Sequence, residues 1–175
     1  MSTLVGRPGA DEFDYHYASY VDRVKESDPV DAMARQIEET AALLSRVSDA
    51  DALKRYAPGK WSVKEVVGHM ADAERIFSYR ALRFARADVT PLASFDENAF
   101  VPAGGFDRRP IAELVAELQD VRRASLALFR GFDAAAWGRS GTASGKPVSV
   151  RAISYIIPGH ERHHVAILRE RYGLR

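Results

Sequence analysis

Cysteine is absent from this 175-residue sequence. A chain without cysteine forms no disulfide bond, offers no thiolate nucleophile and binds no zinc ion or iron–sulfur cluster through sulfur. Any metal ion held by its side chains would therefore have nitrogen and oxygen ligands.

An excess of charge of either sign is also missing. The chain has 25 basic and 24 acidic residues, which gives a formal net charge of +1. One cluster of arginines is matched by nearby acids: Arg80, Arg83 and Arg86 lie among Asp72, Glu74 and Asp88. This pattern predicts a solvated helix face, and it argues against nucleic acid as a partner.

Long apolar runs are the third absence. None approaches the roughly 20 residues that span a bilayer, so we expect no membrane-spanning segment. Residues 1–10 are polar with two glycines and a proline, and they lack the apolar core of a signal peptide. The sequence therefore predicts a flexible tail at residues 1–10 and a cytoplasmic protein.

Four segments combine a helix-start signal with apolar residues at helical spacing. They cover residues 28–48, 62–87, 110–131 and 149–172. A proline or a capping residue opens each one: Asp28-Pro29, Ser62 with Glu65, Pro110, and Ser149. A weaker pattern at residues 11–24 predicts a short N-terminal helical arm. With no convincing strand and no internal repeat, residues 11–175 are predicted to form a single all-α domain, a four-helix bundle.

Two connections in this plan are long. Residues 88–109 contain no clear helix pattern, and so long a segment is either a cover over a functional opening or a plain crossover. The sequence leaves both open. Residues 138–147 are rich in glycine and serine and predict a flexible loop, whose glycines do not match a phosphate-binding fingerprint.

Histidines are concentrated near the C-terminus, where three of the five in the chain fall within residues 159–164. His160 and His164 are one helical turn apart on a face framed by apolar residues, and His163 lies to one side. His69 lies on the predicted buried face of the second helix. Such histidines are either hydrogen-bonded core residues or metal ligands, and a third histidine on another helix favours a metal. Pro158 predicts a kink just before His160.

The pattern as a whole resembles the DinB-like superfamily, and more narrowly the YfiT-type metal-dependent hydrolases. The resemblance is carried by residues 55–69 with 72–75, by residues 95–97 and by residues 159–164. It covers most of the chain, from about Tyr15 onward.

This resemblance implies a four-helix bundle, often dimeric, that holds one divalent ion, commonly nickel or zinc. The ligands it implies are His69, His160 and His164, with His163 as a neighbour outside the ligand set. Relatives of this kind include thiol-dependent S-transferases and a maleylpyruvate isomerase.

The resulting hypothesis is a metal-dependent enzyme that activates water or a small thiol, with a small-molecule substrate. Because the chain lacks cysteine, that thiol would be a compound such as bacillithiol, mycothiol or glutathione. Four further residues are candidates for orienting a ligand or moving a proton: Asp72, Asp96, Glu161 and His163. The alternative is a non-catalytic helical bundle, stress-related or partner-binding, whose histidines are structural or hold an adventitious ion.

Overall fold

The computed structural model describes residues 6–175, in which eight α-helices and one β-hairpin are formed. The elements are, in chain order, α1 (Ala18–Val21), α2 (Pro29–Leu44), α3 (Asp49–Ala52), α4 (Val63–Ala85), α5 (Glu97–Gly104), α6 (Ile111–Arg130), α7 (Ala134–Trp137), β1 (Ser140–Ala143), β2 (Lys146–Ser149) and α8 (Val150–Tyr172). Every helix in residues 6–175 is too short or too polar to cross a bilayer.

The long helices α2, α4, α6 and α8 form the predicted four-helix bundle. Its arrangement is uncommon, because helices that follow one another in the chain are not always neighbours in the bundle. Helix α4 packs on α6 and α8, and α2 packs on the same two helices. The first and second long helices are therefore diagonal to one another, and so are the third and fourth. A connection between diagonally opposite helices has to cross the end of the bundle. Helix α3 lies in the connection from α2 to α4, and α7 and the hairpin lie in the connection from α6 to α8.

The predicted helix starts are confirmed at three of the long helices. The Asp28 carboxylate accepts hydrogen bonds from two backbone N–H groups at the start of α2. Ser62 and Glu65 form a reciprocal capping box on α4, and Ser149 caps α8 through the Ala152 N–H. These side chains satisfy N–H groups that have no partner inside their own helix, and they fix where each helix begins.

The predicted flexible loop at residues 138–147 is mostly a β-hairpin, so the prediction that the chain has no strand is wrong here. Strands β1 and β2 pair in antiparallel fashion. Ser144 and Gly145 join them with φ of 55° and 73°, the conformation that suits a two-residue hairpin turn. Backbone hydrogen bonds to Leu92 on one side and Glu12 on the other extend the pairing. Because these partners are distant in sequence, the local pattern did not reveal the strands.

The long connection between α4 and α6 also has structure of its own. It contains α5, a bridge from Leu92 to β1 and a 3₁₀ turn at Phe106–Arg108. The Phe106 ring packs on α4 at Gly68, where a Cβ would lie only 2.3 Å from Phe106 Cδ1. A glycine is therefore needed immediately before His69 for this segment to pack against the bundle.

The N-terminal arm is ordered against α8. A 3₁₀ turn at Tyr15–Tyr17 leads into α1, and the Tyr20 carbonyl lies so close to Gly159 that a Cβ there would be 2.1 Å from its oxygen. Residues 1–5 of the predicted tail lie outside the described residues. In the remainder of that segment, Arg7 donates a hydrogen bond to Asp22 Oδ1 at 2.7 Å.

A buried ionic cluster joins all four long helices. Arg122 of α6 donates to Glu74 of α4, to Glu161 of α8 and to the Met33 carbonyl of α2. Glu161 also accepts a hydrogen bond of 2.5 Å from Thr40 of α2. Polar groups placed this deep in a core fix the relative positions of the helices, because each needs its partner in one place.

Candidate metal centre

Three histidine side chains converge between α4 and α8. His160 Nε2 lies 3.1 Å from His69 Nε2 and 3.1 Å from His164 Nε2. One ring nitrogen from each of the three lies within 4.8 Å of the other two. All three side chains are buried, with 6–8% of their surface exposed. The packing of α4 on α8 thus brings His69 to the predicted pair on α8.

The chemistry of this donor set fits a metal ion. Two nitrogens that each lie about 2.0–2.1 Å from one ion are about 3–3.4 Å apart. Both of the 3.1 Å separations fall in that range, and the third pair, His69 and His164, lies within 4.8 Å. Hydrogen bonding alone satisfies the group poorly. His160 Nε2 carries either one hydrogen or one lone pair, yet it faces two ring nitrogens.

Burial also keeps these imidazoles in the form that binds metal. It lowers the pKa of His69 to about 4, with a smaller opposing effect from the Glu97 carboxylate. It lowers the pKa values of His160 and His164 well below the ordinary value, and the neighbouring histidines act in the same direction. All three rings are therefore neutral at pH 7, with lone pairs available to a cation.

Aromatic side chains enclose the three rings. Trp61 contacts His69 with ring centroids 4.8 Å apart, while Tyr20 and Phe77 contact His160 edge-on at 5.4 and 5.9 Å. The histidines open into a cavity of about 610 Å³. The rest of its lining is aromatic, small or charged: Asp14, His16, Tyr17, Tyr20, Trp61, Ala73, Phe77, Arg80, Ser94, Phe95, Glu97, Ser144, Lys146 and His163. This volume is sufficient for a small organic molecule.

A model of the DinB superfamily matches residues 32–168, which include all three converging histidines. The chain belongs to the DinB superfamily. Among solved structures, it is similar to YfiT from Bacillus subtilis, described as "a probable metal-dependent hydrolase with an unusual four-helix bundle topology", with a TM-score of 0.71 and 22% identity over 87% of this chain and 91% of that one. A mycothiol-dependent maleylpyruvate isomerase gives a TM-score of 0.65 and 17% identity over 83% of this chain and 61% of the isomerase. At these identities the two likenesses establish the fold. A comparison with curated proteins gave no match.

The fourth predicted histidine, His163, lies beside the convergence point of this DinB protein. Its ring contacts those of Tyr20 and His164, with centroid distances of 5.5 and 5.1 Å, and it lines the cavity. It does not belong to the group of converging nitrogens found among the described residues. Burial and the positive charge of Arg23 lower its pKa, so it is a neutral cavity residue at pH 7.

The three candidate carboxylates have partners other than the histidines. Glu161 is one residue from His160, a rotation of about 100° on a helix, and it points into the bundle toward Arg122. Asp72 pairs with Arg75 at 3.2 Å, away from the cavity. Asp96 caps α5 by accepting from the Asn98 N–H. In the described chain, none of the three lines the cavity, so the structure does not support direct roles for them there.

Among the cavity-wall residues that were not candidates from the sequence, three bear directly on the site. Glu97, next to the predicted Asp96, reaches the cavity, so the long connection after α4 does approach the site. Trp61, two residues before the start of α4, covers His69. Arg80 was predicted to be solvated but is only 2% exposed, and that prediction is wrong. Its spacing of eleven residues from His69, about three helical turns, was the available signal.

Proposed function

We propose that this protein is a metal-dependent enzyme in which His69, His160 and His164 hold one divalent ion, zinc or nickel. The observation that carries the proposal is the convergence of three buried, neutral imidazoles on a common point in the wall of the cavity. Structural zinc sites usually have four protein ligands, whereas catalytic sites have three and leave a position for a small molecule. A three-histidine set that opens into a cavity is of the second kind.

The chemistry that such an ion supplies is a lowered pKa for a water or thiol that it binds, which yields a nucleophile near neutral pH. The residues of the chain determine what reaches that position. Trp61, Tyr20 and Phe77 pack against the rings of the site, and the cavity gives a substrate access to them. Hydrolysis and thiol transfer are both compatible with this arrangement.

Thiol transfer is the more specific form of the proposal. Because the chain lacks cysteine, the thiol would be a small molecule such as mycothiol, bacillithiol or glutathione. A fold shared with an isomerase described as mycothiol-dependent supports this class, and the fold shared with YfiT supports hydrolysis.

The experiment is a paired activity screen on zinc- or nickel-loaded protein. One arm measures hydrolysis of esters and amides, and the other measures loss of a small thiol in the presence of an electrophile such as chlorodinitrobenzene. We expect metal-dependent turnover in one arm, its loss in His164→Ala and its retention in Lys54→Ala, an exposed control. Metal uptake without turnover in either arm would instead support a non-catalytic bundle.

We also propose that the protein is a homodimer. Two large apolar side chains one turn apart on α4, Tyr79 and Leu82, are 50% and 36% exposed, and Val89 just beyond the helix is 81% exposed. Exposed apolar groups of this kind are typical of association surfaces when they are contiguous. Light scattering coupled to gel filtration should give twice the chain mass of 19.4 kDa, and the monomer mass would contradict the proposal. A cytoplasmic location stays a prediction from the sequence.

A further inference from the structure

The cavity has a second polar group, at a distance from the histidines. Arg80 lies on α4 eleven residues after His69, which puts the two on the same helix face, about 20° apart. Ala73 and Phe77 lie between them on that face, and all four residues line the cavity. One stripe of α4 therefore forms a continuous floor from the three histidines to the guanidinium.

The guanidinium of Arg80 is buried with most of its donors unused. Nη2 donates to the Ala93 carbonyl and to Ser144 Oγ, both at 3.0 Å. Nε is buried and has no hydrogen-bond partner, and Nη1 has none among the described residues. A buried charge normally has a counter-charge, but no carboxylate pairs with Arg80 in residues 6–175. Phe77 and Phe95, with ring centroids 5.9 and 6.0 Å from Cζ, supply only weaker cation–π contacts.

The other cation at this end of the cavity is already paired. Lys146 Nζ lies 3.2 Å from Asp14 Oδ2. Arg80 therefore lines the cavity as a guanidinium without an ion-pair partner in residues 6–175, in a wall that also contains Glu97. Nη1 is the nitrogen of this guanidinium that remains available to a ligand, since Nη2 is bonded and Nε is buried. Such a group matches a singly charged planar carboxylate better than a doubly charged phosphate.

We propose that Arg80 binds a carboxylate of the small molecule whose other end meets the three histidines. This inference rests on the proposed function and specifies its substrate class. The Phe77 centroid is 5.9 Å from Arg80 Cζ and 5.9 Å from the His160 centroid, so the two groups are at most about 12 Å apart. After allowance for contacts at each end, the ligand has at most about 8 Å between its carboxylate and its reactive group. The middle of the ligand packs on Ala73 and Phe77 and is apolar.

Two matched thiols test the proposal on the zinc-loaded protein. 6-Mercaptohexanoate has a thiol and a carboxylate at about the required separation, and 6-mercaptohexanol has the same length without the charge. Titration calorimetry should show the acid binding about 10-fold or more tightly than the alcohol in the wild type. In Arg80→Met the ratio should fall to about 1 while the zinc content is unchanged. Arg83→Met, which loses the same charge outside the cavity, should keep the wild-type ratio.

A wild-type ratio near 1, or a wild-type ratio retained in Arg80→Met, would overturn the proposal. If Arg80→Met does not fold, Arg80→Lys replaces it. Lysine keeps the charge but loses the planar donors, so a reduced ratio supports the inference and an unchanged one overturns it. Failure of the wild type to take up zinc would refute the proposed function instead. Arg80 is then tested on the metal-free protein with hexanoate and hexanol, for which the same preference is expected.

Discussion

Replacing Arg122 with methionine should destabilise the protein more than the loss of any surface arginine. Its Nε and Nη2 donate to the two carboxylate oxygens of Glu74, both at 2.8 Å, and Nη2 also donates to Glu161 at 2.6 Å. Its Nη1 donates to the Met33 carbonyl at 2.9 Å. One side chain of α6 thus contacts each of the other three long helices, including α8, which carries two of the three converging histidines.

The magnitude follows from what the substitution leaves behind. Glu74 and Glu161 are 3% and 2% exposed, and both would lose the one cation that pairs with them in residues 6–175. Removing one partner of a buried ion pair costs about 3–5 kcal/mol, because the remaining charge is neither solvated nor paired. Thr40 would still donate to Glu161, but Glu74 would have no donor from the cluster. For a protein of typical total stability, about 5–15 kcal/mol, this is a large fraction.

Urea unfolding of the metal-free protein, followed by circular dichroism, measures the effect. Arg123→Met is the matched control, because Arg123 is the next residue on the same helix, is exposed and pairs with the exposed Asp120. It should change the free energy of unfolding by about 0.5 kcal/mol or less. The triple variant Arg122→Met/Glu74→Leu/Glu161→Leu should recover most of the loss, since no unpaired charge remains. An Arg122→Met protein within about 1 kcal/mol of the wild type would refute the reasoning.

Two further predictions concern how the N-terminal arm is held on α8. Gly159→Ala should lower the free energy of unfolding by about 1–3 kcal/mol, because the new Cβ would overlap the Tyr20 carbonyl. Thermal unfolding measures this loss. Gly138→Ala is the control and should be nearly neutral, because a Cβ there has only an ordinary contact. An equal effect of the two substitutions would contradict the close approach. Hydrogen bonding to Arg162 lowers the Glu26 pKa from 4.5 to about 2, so this pair stabilises the fold above pH 4.5 and the contribution disappears as the pH falls through about 2. Glu26→Gln should therefore lower the free energy of unfolding by about 1 kcal/mol at pH 7, after allowance for solvent screening, and should have almost no effect near pH 2. A difference between wild type and variant that does not change with pH would show that the Glu26–Arg162 pair is not its cause.

The sequence predicted those parts of the fold that depend on local interactions. The caps at Asp28, Ser62 and Ser149 act between residues two to three positions apart, so their signals are visible in a short window. The apolar stripes of the long helices are likewise periodic. These features were sufficient to predict an all-α bundle and the ends of its helices to within a few residues.

Features that depend on distant partners were not predictable in the same way. The hairpin is supported by Leu92 and Glu12, neither of which is near it in sequence. The spacing of His160 and His164 predicted that they share a helix face. Their meeting with His69 depends on the packing of α4 against α8, which helical periodicity alone does not determine.

The same limit applies to the charged residues. Glu161 adjoins His160 in sequence but points toward the bundle core, whereas Arg80 lies about three turns from His69 and shares its cavity. Proximity in sequence was therefore a poor guide to proximity at the site. Position on a common helix face was a better guide to which residues meet at the site, because residues on one face contact the same neighbouring elements.

The metal content of purified variants decides whether the three histidines act as one site. Wild type, His69→Ala, His160→Ala, His164→Ala and His163→Ala would each be loaded with zinc or nickel, freed of unbound metal and analysed by elemental mass spectrometry. We predict close to one ion per chain in the wild type and in His163→Ala, and little or none in the other three. Equal metal in all five proteins, or loss of metal in His163→Ala alone, would contradict the proposed site.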